Sequence, residues 1–160
     1  MDLKKGIYLI TLIIILTGCG SSKQTAKGKY SESEEIVRFA MKYLNTPYCR
    51  GGYTSKCFDC SGYVQFVYDK FGYLLPRSSS EQIHIGKKIN TKDLRPGDLV
   101  FFRGSNAKSK KTGHVGIVTQ TLKDNEFLFI HAAVNGGIRI DKSNTPYYKS
   151  RYIQAKRIID

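Results

Sequence analysis

The chain has 160 residues, room for one domain after a short leader. A hydrophobic fraction of 41% and an aromatic fraction of 12% suit a packed core and exclude a disordered chain. Lysine and arginine outnumber the acids 26 to 13, which favours anionic surroundings, but no helix-turn-helix, zinc-finger or RNP-type pattern accompanies that charge, so nucleic acid is not an expected partner.

Residues 1–18 read as a signal peptide. Lys4 and Lys5 supply the positive start, and Gly6 to Leu16 form an apolar run too short for a comfortable membrane span. The run ends in Leu16-Thr17-Gly18-Cys19, which resembles a bacterial lipobox. That resemblance implies cleavage before Cys19 and acylation of Cys19 by palmitate-type chains. Several chains would anchor the protein stably in the cell envelope, at the outer membrane if the cell is Gram-negative. Residues 19–31 then form the lipidated cysteine and a flexible tether, small, polar and basic from Ser21 to Lys29. Residues 32–160 form the folded domain.

Ser31 and Glu34 offer a capping box, and Ile36, Phe39, Ala40 and Tyr43 follow at helical spacing. A first helix is expected from Glu32 to Leu44, ended by Asn45-Thr46-Pro47. Pro47 to Tyr53, with paired glycines, reads as a loop that forms one wall of a cleft. A second helix follows from the spacing of Val64, Val67, Tyr68 and Phe71. Ser78 and Glu81 start a short third helix, with His84 at its end as a surface residue. The second half changes character. Leu99 to Arg103, His114 to Thr119, Phe127 to Ala132, Ile138 to Ile140 and Tyr152 to Ile159 read as strands, broken by turns at Pro96-Gly97-Asp98, Lys123-Asp124-Asn125 and Asn135-Gly136-Gly137. Helices first and an antiparallel meander after them make an α+β domain.

The chemistry centres on Asp59-Cys60-Ser61-Gly62. Cys60 falls on the first or second residue of the second helix, with Asp59 or Phe58 near the cap. There the helix dipole and unpaired N–H groups favour a thiolate. A cysteine in an apolar helix is ordinarily a small buried hydrophobe. The context at a helix start, together with two of the chain's three histidines downstream in strands, points instead to a nucleophile. If the strands of His114 and His131 pair as a hairpin around 122–125, both histidines lie at the same open end of the sheet. A helix packed on that sheet can then set Cys60 over His114.

Pro47-Tyr48, Gly51-Gly52, Asp59 to Val64, Leu75-Pro76-Arg77, Leu94 to Phe102, His114-Val115-Gly116-Ile117 and Phe129-Ile130-His131-Ala132 together resemble the NlpC family of cell-wall peptidases over residues 32–158. With the lipobox, the chain is similar to the Spr-type lipoprotein branch. The resemblance implies a papain-like fold with N-terminal helices packed on a central antiparallel sheet. It implies Cys60 as nucleophile, His114 as base and His131 as the group that orients His114. It implies that Tyr48 reaches the substrate or the oxyanion, and that Asp59 and Ser61 help bind the free amine of a peptide. Where the family often carries Trp before the paired glycines, this chain has Arg50, which could pair with a substrate carboxylate.

The implied activity is hydrolysis of an amide bond in peptidoglycan stem peptides or cross-links, γ-D-glutamyl–diamino acid or D-Ala–diamino acid, through a thioester. A non-catalytic wall-binding lipoprotein and a transpeptidase on the same fold are the alternatives. Cys57-x-x-Cys60 lacks the further ligands of a zinc site, so no metal or cofactor is expected. Cys49 and Cys57 either bridge or stay free and buried, and a Cys57–Cys60 bridge would be an inactive state. Nothing signals an oligomer, and a monomer is the default.

Overall fold

The computed structural model describes residues 30–159. The expected signal peptide, Cys19 and all but the last residues of the expected tether lie outside the described residues. Helix α1 (Glu32–Met41) starts on the expected capping box: Glu34 N–H donates to Ser31 Oγ at 3.4 Å, and Ser31 N–H donates to the Glu34 carboxylate at 2.7 Å. It stops one turn before the expected Leu44. Lys42, Tyr43 and Leu44 donate to carbonyls only three residues back, and Asn45 then takes a left-handed φ of 67°. Asn45 N–H donates to Ile138 O at 2.8 Å and Ile138 N–H to Thr46 O at 2.9 Å, which ties the end of the first helix to the far edge of the sheet.

The cleft-wall loop contains a small hairpin that the sequence did not reveal, β1 (Tyr53–Thr54) with β2 (Cys57–Phe58). It leads directly into α2 (Cys60–Asp69). A short α3 (Ser79–Gln82) follows, with His84 exposed after it, as expected. The main sheet is built from β3 (Lys87–Ile89), β4 (Leu99–Arg103), β5 (Thr112–Thr121), β6 (Phe127–Ala133), β7 (Gly137–Lys142) and β8 (Tyr152–Arg157), with a short α4 (Pro146–Lys149) between the last two. All neighbours are antiparallel, in the order β3-β8-β4-β5-β6-β7. The meander therefore covers β4 to β7 only. The chain then returns so that β8 pairs with β4 from the other side.

Both faces of this sheet are buried. Val64, Val67 and Tyr68 of α2 and Ile36 and Ala40 of α1 pack on Leu99, Phe101, Val115, Ile117 and Ile130. Val100, Phe102, Val118, Phe129 and Tyr148 form a second cluster on the opposite face. This explains the unbroken apolar run of β4, which faces core on both sides. The expected α+β, papain-like arrangement is the observed one. No described helix is long and apolar enough to cross a membrane.

Candidate active site

Asp59 is the N-cap of α2 and Cys60 its first residue. The Asp59 carboxylate accepts from Gly62 N–H at 2.7 Å, and its two oxygens take Arg77 at 3.0 and 2.6 Å. Ser61 Oγ donates to the same carboxylate at 3.3 Å. Arg77 also donates to Ser61 Oγ at 3.1 Å and to Gly52 O at 3.3 Å. Arg77 belongs to the Leu-Pro-Arg motif, but no role was read for it. It ties the helix start to the paired-glycine loop. Burial pushes the Asp59 carboxyl up, but the bonds from Arg77, Gly62 and Ser61 prevail and hold it below its usual range.

The loop itself is pinned at several points. Asp59 N–H donates to Gly52 O at 2.9 Å, and a side chain on Gly62 would put its Cβ 2.1 Å from that same oxygen. A disulfide joins Cys49 to Cys57, settling the pairing that the sequence left open. Cys57 is thus committed, and Cys60 is the free cysteine among the described residues. A Cys57–Cys60 bridge is not the resting arrangement. The hairpin sets Tyr48 beside Phe58, half-buried and close enough to Cys60 and Asp59 that, after burial, their charges help raise its phenol. Arg50 is exposed, near Tyr48, and bonded to no described residue.

The Cys60 thiol is half-buried, and the pull of the helix start towards a thiolate is opposed here. Burial and the Asp59 carboxylate raise the thiol, and they outweigh the N–H groups of Val115, Ser61 and Cys60 that favour the charged sulfur. The Val115 N–H among these groups sets the thiol beside the β5 backbone, one residue from His114. The ring of His114 is not directly beneath it. Alternation along β5 sends Val115 and Ile117 under α2, and sends His114 to the other side, against Phe102 and His131. No hydrogen bond joins Cys60 to His114 among the described residues.

The two histidines do meet, because a β-bulge between Val118 and Gln120 shifts the β5–β6 register by one residue and puts both on one face. Ile117 pairs with Ile130 and Val118 with Phe129, which brings Gly116 opposite His131. A Cβ on Gly116 would lie 3.1 Å from that of His131 and 2.6 Å from the Phe129 ring, so the glycine makes room for the imidazole. His114 Nε2 and His131 Nδ1 are 2.9 Å apart. His131 is almost fully buried, and its Nε2 lies 3.0 Å from Asp141 Oδ2. Arg139 Nε and Nη2 donate to that oxygen at 3.0 and 2.7 Å, and the Tyr148 hydroxyl donates to it at 2.7 Å.

This chain of bonds fixes both tautomers. Asp141 holds its carboxyl far below the usual range, chiefly through the His131 bond, so it only accepts. His131 therefore carries its proton on Nε2, and its Nδ1 must accept from His114 Nε2–H. The lone pair of His114 is left on Nδ1, which bonds no described residue. Burial, aided by His131 and opposed by Asp141, lowers the His114 imidazole to about 3. Burial likewise lowers His131, against the pull of Asp141. At neutral pH the site thus rests as a neutral thiol and a neutral imidazole. Asp141, Arg139 and Tyr148 were not read from the sequence. The register of the β6–β7 hairpin would have found the first two, since His131 pairs with Arg139 and Asp141 is the next residue on that face.

The family model of the NlpC/P60 family matches residues 45–157. The chain belongs to the NlpC/P60 family. It is 34% identical to the Murein DD-endopeptidase MepS/Murein LD-carboxypeptidase of Escherichia coli strain K12, over 97% of this chain and 92% of that protein. It is 36% identical to the Gamma-DL-glutamyl hydrolase of Bacillus subtilis strain 168, over 76% of this chain but only 28% of that protein. Among solved structures, an NlpC/P60 family protein from Bacillus cereus superimposes with a TM-score of 0.72 at 27% identity, covering 81% of this chain and 41% of that one. No group of His, Cys, Asp and Glu among the described residues could hold a metal ion.

Proposed function

We propose that the protein is a thiol peptidase that hydrolyses amide bonds in peptidoglycan peptides, with Cys60 as nucleophile and His114 as acid and base. The observation that carries this reading is the bond chain from Asp141 through His131 to His114, which leaves a lone pair only on Nδ1. As the sulfur attacks the carbonyl, Nδ1 takes the thiol proton. The oxyanion faces the Cys60 N–H, which as the first of the helix has no intrahelical acceptor, and the Tyr48 hydroxyl. His114 then gives its proton to the leaving amine, the C–N bond breaks, and a thioester remains. Water, deprotonated by Nδ1, attacks that thioester and frees the thiol.

His131 and Asp141 orient and polarise the base and do not themselves react. Asp59, Ser61 and Arg77 border the acyl side, where the Asp59 carboxylate suits a peptide amine and the exposed Arg50 suits a carboxylate. With one relative named a murein DD-endopeptidase and another a gamma-DL-glutamyl hydrolase, both candidate bonds, γ-D-glutamyl–diamino acid and D-Ala–diamino acid, stay in view. The Leu16-to-Cys19 lipobox supports a lipid anchor at Cys19, which would keep a monomeric domain, residues 32–160, beside the wall on its tether.

The test is mass spectrometry of purified peptidoglycan incubated with the reduced protein and with Cys60→Ser. New muropeptides from the first alone would support the reading, and their masses would identify the bond. Identical patterns from both would overturn it in favour of a wall-binding role.

A further inference from the structure

A cavity of about 460 Å³ opens beside His114, away from the residues around the thiol. His114, His131 and Asp141 form its floor, Arg103 and Arg139 stand in its wall, and Tyr147 and Val134 sit at its rim, 51% and 73% exposed. None of Tyr48, Asp59, Ser61, Arg77 or Gly52 lines it. The catalytic proposal above supplies the direction. The amine expelled from the thioester must take its proton from His114, so the leaving part has to lie against that ring. The cavity that borders His114 is the space open to it.

The charge of the cavity then says what the leaving part carries. Two guanidinium groups face one carboxylate, since both histidines are neutral at pH 7. Arg139 is half-exposed; Nε and Nη2 are used on Asp141 and Nη1 on the Asn135 carbonyl at 3.3 Å. A guanidinium has five N–H groups; the Tyr148 hydroxyl also engages Arg139, which leaves at least one N–H for a ligand. A charge-assisted N–H donor of this kind suits a carboxylate oxygen. Arg103 Nη2 is likewise unspent, the rest of that group being held by the carbonyls of Ser109, Ser150 and Tyr152.

We infer that this cavity is the leaving-group subsite, and that Arg139 there binds a free carboxylate carried by the residue whose amine is released. The inference rests on the peptidase reading for its direction and on the cavity for its chemistry. It selects among candidate bonds: those whose expelled amine sits on a residue with a free carboxylate are preferred over those whose expelled residue continues as an amide.

The test uses the full chain carrying Cys60→Ser, which cannot turn over. Nα-acetyl-L-lysine and its carboxamide, Nα-acetyl-L-lysinamide, are titrated in, and NMR shifts give the two affinities. The acid should bind at least tenfold more tightly than the amide, with shifts at residues 139–141. That ratio should fall to near one when Arg139→Gln is added. If Arg139 served only to hold Asp141, acid and amide would weaken alike and the ratio would stand, which overturns the inference. Equal affinities in the first protein would overturn it too. Val134→Trp, a rim change that leaves the bond chain alone, should block the acid by filling the cavity; undiminished binding would count against the site. Peptidoglycan digestion by the unsubstituted protein is scored separately. Digestion without acid preference sinks this inference alone, while acid preference without digestion sinks the peptidase reading and leaves a carboxylate site.

Discussion

Replacing Asp141 by Asn tests the relay behind the proposed base. Arg139 Nε, Arg139 Nη2 and the Tyr148 hydroxyl all donate to Asp141 Oδ2. An amide at this position therefore keeps its oxygen there, and the His131 bond and both tautomers survive. What disappears is the negative charge that stabilises the imidazolium form of His114 during attack. The path runs over bonds of 2.9 and 3.0 Å with one imidazole between them. At roughly 8 Å and an effective dielectric of 20, a unit charge acts on another with an energy near 2 kcal/mol. That corresponds to about 30-fold in rate. Water reaching the 20% exposed Asp141 side chain reduces the effect. We predict a fall of about 10- to 30-fold in kcat for a stem-peptide fragment, read by chromatography, with KM nearly unchanged. Ring 15N shifts should still report Nε2–H on both histidines. An unchanged kcat in a protein with an unchanged melting curve would refute the relay, as would a loss confined to KM.

Three further outcomes follow from the same geometry. Because the Cys60 thiol is raised and His114 is lowered, alkylation of Cys60 by iodoacetamide should accelerate continuously from pH 6 through pH 9; a plateau reached by pH 7 would mean a preformed thiolate–imidazolium pair and contradict the neutral resting state. The Cys49–Cys57 disulfide closes a loop with a sequence separation of 8, and chain entropy assigns it about 2.5 kcal/mol; the double Cys→Ser variant should lose that much in urea unfolding and also bind substrate less well, whereas an unshifted midpoint would show that the loop is held without it. Gly62→Ala would drive a Cβ to 2.1 Å from the Gly52 carbonyl, a backbone atom held on the other side by Asp59 N–H, so we expect more than ~2 kcal/mol of destabilisation by thermal melting and loss of activity; a stable, active variant would place the loop elsewhere.

Local interactions explain what the sequence by itself determined. A capping box, an i, i+3, i+4, i+7 stripe and a turn each act over a few residues, so the start of α1, the position of Cys60 on α2 and the β5–β6 hairpin could all be read directly. That His114 and His131 share the open end of this hairpin was legible for the same reason, but the β-bulge between Val118 and Gln120, which shifts the register by one residue and so puts both on one face, was not. The family motifs added the fold. Four further things required the tertiary structure. The protonation state of Cys60 depends on how deeply the sheet buries it, and desolvation there overrides the helix end on which the thiolate expectation rested. The place of β8 beside β4 is a pairing between distant segments that no local pattern encodes. Asp141, Arg139 and Tyr148 converge on one oxygen because β7 and α4 fold back over His131. Arg77 reaches Asp59 across 18 residues of chain. Side chains that act by closing such long loops have no periodic signature, and only the packed molecule brings them within bonding distance.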